Sequence, residues 1–270
     1  MPLHDDPCPM LKHLLIAHDL SAEADLALQR AVALAHQLGA RLTLLHVRGE
    51  QDELGAVRAQ LSDRLNSAHG IEARLHIAHG AVVPEVLSAL HSLEADLLLV
   101  GRHHRAVAEG FAGTTLEQIA QRCTVPLLLA VQSAPWQSAL AALDFSPCAS
   151  RALQLSASLL TAEARLQALH IHEVARLQAD DDPAALAFER DLFDTLLAEE
   201  VRHLPASAPR LQACWRAGER EQCLQQVLAE TAPQLLALGQ HGRGALSDTL
   251  LGSLALQWLR EPPCDLLLVP

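Results

Sequence analysis

The chain has 270 residues, half of them apolar and 19% charged, enough for one large domain or two smaller ones. Twenty Lys and Arg against 32 Asp and Glu give a formal charge of −12, which argues against nucleic-acid backbones and anionic membranes as general partners. Four Phe, three Trp and no Tyr leave little from which to build stacking platforms for bases or sugars.

Met1–Met10 hold Pro, His and Asp rather than a basic start and an apolar run, and no apolar stretch reaches the length of a membrane span. The expectation is a cytoplasmic chain with reduced thiols. Cys8, Cys123, Cys148, Cys214, Cys223 and Cys264 form no Cys-x-x-Cys pair and read as small buried hydrophobes.

Residues 14–20, LLIAHDL, read as a first strand and its turn, followed by Ser21 and a helix over Ala22–Leu38. Arg41–Val47 is a second strand, and Val57, Leu61 and Leu65 then lie on one face of a short helix. A third strand over Glu72–Ala78, a helix over Pro84–Leu93 and a fourth strand over Asp96–Gly101 follow. A loop and a helix lead to a fifth strand around Leu127–Leu129.

The order then begins again. Residues 139–145, ALAALDF, match 14–20, with Asp144 answering Asp19 at an offset of 125. The second set comprises a helix over Cys148–Leu160, a strand over Arg165–Ile171, a long segment over Ala179–His203, a strand over Arg210–Arg216, a helix over Glu221–Glu230, a strand over Gln234–Gly239, a helix over Leu254–Leu259 and a last strand around Leu266–Leu268. In the long segment Asp182 is the expected cap and Pro183 stands in the first turn. Leu186, Phe193, Leu197 and Val201 give its expected buried face, and Glu189, Glu199 and Glu200 its acidic outer face.

The chain is therefore a tandem duplication, with a seam at Gln132–Gln137 that contains Pro135 and domains at 11–132 and 137–270. Continuous apolar strands alternating with helices predict α/β architecture: two doubly wound, five-stranded parallel sheets. The duplication and its short linker predict an intrachain pseudo-dimer, and the apolar edges Leu127–Val131 and Leu266–Val269 would be a liability if left unpaired. Ligands of such sheets bind at the carboxyl ends of the strands, where the strand order reverses.

The most informative loop follows the fourth strand of the second repeat. Gly239, Gly242, Gly252 and Ser253 form Gly-x2-Gly-x9-Gly-Ser between a predicted strand and a predicted helix. Glycines permit close backbone approach, and free N–H groups at a helix start suit a phosphate. The plain alternative is a glycine-rich turn with an N-capping Ser. The first repeat departs from the pattern: His104 stands where Gly242 does, and the spacing from Gly101 to Gly113 is one residue shorter. Little or no nucleotide binding is expected there, with Arg102 and Arg105 as side-chain phosphate ligands the alternative.

These residues, with Leu143-Asp144-Phe145-Ser146-Pro147 and His170-Ile171, resemble the universal stress protein family over nearly the whole chain. The resemblance implies a Rossmann-like fold of the adenine nucleotide alpha hydrolase type, and ATP or another adenine nucleotide as ligand, with Mg2+ as its potential companion. It would place Ala142, Leu143 and Asp144 around adenosine and give Ile171 backbone contacts to adenine. Gly239, His241 and Gly242 would line the ribose and phosphates, and Gly252, Ser253 and Leu254 would hold the phosphates. Asp144 also fits as a helix cap, and His46 and His170 as packed structural residues.

The function this implies is stress-response regulation through a bound nucleotide, with an unidentified protein partner and a homodimer of chains as a further association. The alternative is a nucleotide-independent interaction scaffold. No Ser-Gly-Gly-x-Asp-Ser loop, His-x-Gly-His or Gly-x-Ser-x-Gly elbow marks a dedicated enzyme, although slow ATP hydrolysis is compatible with the loop. His76 and His79, with His103 and His104, lie near neighbouring strand ends, but no Cys/His spacing matches a closed zinc site, so no metal is expected.

Overall fold

The computed structural model describes residues 11–66, 70–102, 114–173, 183–241 and 252–270. They divide into two compact units, whose main spans are Met10–Ala134 and Pro135–Val269.

The N-terminal unit runs β1 (His13–Ala17), α1 (Ala22–Leu38), β2 (Arg41–Arg48), α2 (Leu54–Leu65), β3 (Ala73–His79), α3 (Val82–Ser92), β4 (Leu97–Gly101), α4 (Thr115–Arg122) and β5 (Leu127–Ala130). Its strand order is β3-β2-β1-β4-β5, every pairing parallel. The C-terminal unit repeats the plan with β6 (Ser138–Ala142), α5 (Pro147–Leu159), β7 (Arg165–Glu173), α6 (Pro183–His203), β8 (Leu211–Gly218), α7 (Arg220–Thr231), β9 (Leu235–Gly239), α8 (Ser253–Arg260) and β10 (Asp265–Val269). Its order is β8-β7-β6-β9-β10, again parallel throughout.

The central strands are buried on both faces, as their unbroken apolar runs require: Leu14, Leu15 and Ile16 are fully buried in β1, as are Leu235, Leu236 and Ala237 in β9. Each unit reverses its strand order beside its first strand, which places a crevice between the loops after the first and fourth strands.

Local chemistry fixes the helix starts. The hydroxyls of Ser21 and Ser146 accept from Ala24 N at 3.1 Å and Ala149 N at 3.2 Å, capping α1 and α5. Pro147 takes the first position of α5, where its missing N–H costs nothing, so the helix begins one residue before the expected Cys148. Gly39 ends α1 with φ 64°, the left-handed conformation that only glycine adopts freely. In the C-terminal unit, the fully buried carboxylate of Asp265 accepts from Trp136 Nε1 at 2.8 Å. Cys123, Cys214, Cys223 and Cys264 are buried free thiols, while Cys148 is half-buried.

Helix α6 corrects the expected polarity of its faces. Phe193 and Leu197 are buried and Leu186 is half-buried, but Val201 is 54% exposed. Glu200 is buried and accepts from Gln154 Nε2 at 2.8 Å, and Glu189 also turns inward; only Glu199 of the three acidic residues is exposed. The reason is geometric. At about 100° per residue, position 200 lies within the arc centred on Phe193 and Leu197, and 189 and 201 lie on its two opposite flanks, of which that of 189 meets His170 and His172 of β7. The expected cap, Asp182, lies outside the described residues, as do 179–181. Helix α2, the counterpart, has 12 residues against 21 and buries only Val57 and Leu61, with Leu65 half-buried.

Among the described residues, no helix is long and apolar enough to cross a membrane, and no group of three or more His, Cys, Asp or Glu is placed to hold a metal ion. His103 and His104 lie outside the described residues.

Candidate functional site

Each crevice holds a cavity of about 610 Å³, within the size range of small-molecule sites. In the C-terminal unit the first wall is the chain leaving β6. Phe145 adopts φ 63°, a left-handed conformation that a bulky residue rarely takes. Asp144 Oδ1 accepts from Ser146 N at 3.0 Å across this turn. Asp144 is thus a turn residue, and the cap of α5 is Ser146.

The second wall is the end of β7. His170 and His172 are two residues apart and share a strand face. His170 is buried, with Nδ1 donating to Leu143 O at 2.7 Å and Nε2 lying 2.8 Å from Glu189 Oε1. His172 Nδ1 meets Glu189 Oε2 at 2.5 Å. One carboxylate from α6 therefore bridges two imidazoles of β7. Burial pushes the Glu189 carboxyl up, but the bonds from His170 and His172 outweigh it and hold it below its ordinary value. Rings surround His170: Phe145, Trp215 and Phe193 lie 4.6, 5.0 and 5.4 Å from it, centroid to centroid. Arg220, at the start of α7, pairs with Glu173 at the rim.

The third wall is the end of β9 and the start of α8. A Cβ on Gly239 would lie 2.9 Å from Ala149 N and 3.1 Å from Cys148 C, so this glycine is required where β9 crosses the first turn of α5. Gly101 is fixed in the same way, 2.5 Å from Glu23 O in α1. Gly252 differs: among the described residues an added Cβ would meet only Gln240 O, at an ordinary 3.6 Å. Gly252, not Ser253, is the N-cap of α8, and no side chain caps this helix among the described residues. Ser253 is its exposed first residue. Among the described residues no side chain meets the first-turn N–H groups of α8, and a helix start of this kind suits an anion.

The structure brings eight of the ten expected residues together on this one cavity: Ala142, Leu143, Asp144, Ile171, Gly239, Gly252, Ser253 and Leu254. His241 is half-buried beyond β9 and is not part of the lining; Gly242 lies outside the described residues. Glu189, His172 and Arg220 line the cavity in addition to the expected residues. The paired histidines of β7 and the coincidence of Glu189 with the Leu186–Phe193 face were the signals available.

The N-terminal cavity is built from the matching elements, with His18, Asp19, His46, Gly101 and Thr115 on its walls. His46 Nδ1 donates to His18 O at 2.7 Å, as His170 does to Leu143. Here α4 is closed by a capping box: Thr114 Oγ1 accepts from Glu117 N at 3.2 Å, and Glu117 Oε2 accepts from Thr114 N at 3.3 Å. The buried Glu117 carboxylate holds the place at the helix start that α8 leaves uncapped.

A duplicated doubly wound core with a cavity at each strand-order reversal defines a Rossmann-like α/β protein in two copies. The universal stress protein family model matches residues 10–60, 48–130 and 135–270, and the chain belongs to that family. A universal stress protein A homolog from Haemophilus influenzae is 32% identical over 112 residues, covering 35% of this chain and 79% of its own. A solved universal stress protein from Archaeoglobus fulgidus shares the fold over 95% of this chain and 97% of its own, with TM-score 0.69 and 18% identity. Another, solved in complex with cAMP, covers 47% of this chain and all of its own, with TM-score 0.40 and 21% identity.

Proposed function

We propose that this chain is a stress-response regulatory protein that binds one ATP or other adenine nucleotide in its C-terminal cavity, with little or no turnover. The observation that carries the reading is the contrast between the two helix starts. That of α8 follows a glycine and lacks a side-chain cap among the described residues, whereas that of α4 already holds a carboxylate. A phosphate chain at Gly252, Ser253 and Leu254 takes its donors from backbone and hydroxyl groups, so the site needs no basic surface and suits a net charge of −12. Asp144 and Ile171 face the adenosine end, and Gly239, His241 and Gly242 complete the proposed set.

Calorimetric titration with ATP tests this. Wild type takes up one equivalent, Gly252→Val takes up none, and Gly113→Val in the other repeat binds like wild type. Among the described residues the Cβ of residue 252 meets nothing closer than 3.6 Å, so the loss of binding is expected with an intact fold, which an unfolding curve of the variant checks. Absence of binding at millimolar ATP overturns the reading in favour of the scaffold. Loss of binding in Gly113→Val alone assigns it to the wrong repeat.

A further inference from the structure

We propose that Glu189 is a positioning residue of the C-terminal site: acting through His170, it holds the turn that carries Asp144 and thereby sets the affinity for nucleotide. The proposal rests on the reading of that cavity as the nucleotide site. His170 grips the chain on both sides of Asp144. Its Nδ1 donates to Leu143 O at 2.7 Å, and its ring lies 4.6 Å from that of Phe145, the residue held at φ 63°. Leu143, Asp144 and Phe145 all line the cavity.

The hydrogen-bond roles define what Glu189 adds. A carbonyl oxygen only accepts, so Nδ1 of His170 carries a hydrogen. With that hydrogen assigned, the 2.8 Å contact between Nε2 and Glu189 Oε1 needs a second proton between ring and carboxylate. The shared proton makes the bond to Leu143 O charge-assisted, hence stronger and more directional. His172 Nδ1 holds the other oxygen, Oε2, at 2.5 Å and so fixes the orientation of the carboxylate. His170 is 4% exposed, which keeps water from competing for either bond.

The N-terminal half holds its turn differently. His18 stands where Leu143 does, and its own Nδ1 accepts from Leu20 N at 3.0 Å across a turn in which Leu20 has φ 67°. His46 donates to His18 O, but its Nε2 meets no partner among the described residues. Leu143 has no ring to offer, so the C-terminal turn relies on His170 and on the carboxylate that α6 brings to it.

Glu189→Gln tests this, because it keeps the shape of the side chain and removes the carboxylate. The shared proton leaves with the negative charge, so the net charge of the pair with His170 is unchanged. At neutral pH, nitrogen NMR of the wild type should show hydrogen on both ring nitrogens of His170, and of Glu189→Gln on Nδ1 alone. Calorimetry should show ATP affinity falling about tenfold in Glu189→Gln, the scale of one weakened charge-assisted bond. Glu200→Gln is the control: it removes the other buried carboxylate of α6, which bonds Gln154 instead, and should bind ATP like wild type. A single hydrogen on His170 in the wild type, an affinity of Glu189→Gln within twofold of wild type, or an equal loss in Glu200→Gln overturns the proposal alone. Absence of ATP binding by the wild type overturns the nucleotide reading and this proposal with it. The NMR signature is read on the unmodified chain without ligand, so it stands even if a variant fails to fold.

Discussion

The starts of α4 and α8 occupy the same place in two copies of one fold and are finished differently. Thr114 and Glu117 satisfy each other's backbone in α4, whereas α8 begins at a glycine without a side-chain cap among the described residues. One helix start is closed by its own side chains, and the other carries no such closure among the described residues. A duplicated core thus holds two cavities of similar size whose flanking helix starts are finished by different residues.

The comparison breaks most readily at the glycines. Gly239→Ala is expected to destabilise the C-terminal half by about 1–3 kcal/mol in denaturant unfolding, because its Cβ meets the backbone of α5. Gly252→Val should leave unfolding nearly unchanged and act on ATP binding instead. Two glycines of one sequence motif therefore separate, one serving packing and the other access. An equal stability loss in both variants would sink this division.

The caps give the next effect. Thr114→Ala should cost about 1 kcal/mol of stability through the lost capping box. Ser253→Ala should change stability by under about 0.5 kcal/mol, since Ser253 caps nothing. Its ATP affinity should weaken by about 0.5–1.5 kcal/mol. Chemical denaturation and calorimetry on the pair measure both differences.

Acid supplies the smallest and most graded distinction. Burial holds His13 and His18 below the ordinary histidine value of 6.5, in His18 against its bond to Asp25. The unfolded chain then binds more protons than the folded one, so their contribution is present above 6.5 and lost as pH falls towards their lowered values. Glu189 is held below 4.5, so its contribution is present above 4.5 and lost only in stronger acid. Exchange protection, taken relative to the intrinsic rate at each pH, should therefore weaken around β1 as the pH falls below 6.5, while the contact of α6 with β7 holds until the carboxylate range. Release of α6 first would reverse the assignment.

Much of the fold was legible because the strands are continuous apolar runs and the turns carry Ser, Pro and Gly at positions with mechanical reasons. Helix α1 falls on its expected bounds, and the strand pairings within each half follow from parallel βαβ order. Of the candidate site, the neighbourhood of Gly239, Gly252, Asp144 and Ile171 was legible, and these four line one cavity. What escaped were tertiary facts. Glu189 and Glu200 read as solvated charges until His170, His172 and Gln154 supply their partners across the helix–sheet contact. The packing role of Gly239 was equally invisible, since it depends on where α5 begins to pass β9.

Burial of the cysteines governs how this protein ages chemically. Burial pushes the thiol of Cys123 up to about 11 and that of Cys264 up to about 12. At neutral pH fewer than roughly one in a thousand of either is the thiolate that attacks peroxides and alkylating agents. Two sulfur atoms, one at the end of α4 and one immediately before β10, are thereby kept from oxidative modification while the fold holds. Cys148, half-buried in the first turn of α5 beside Gly239, is left as the more accessible sulfur among the described residues.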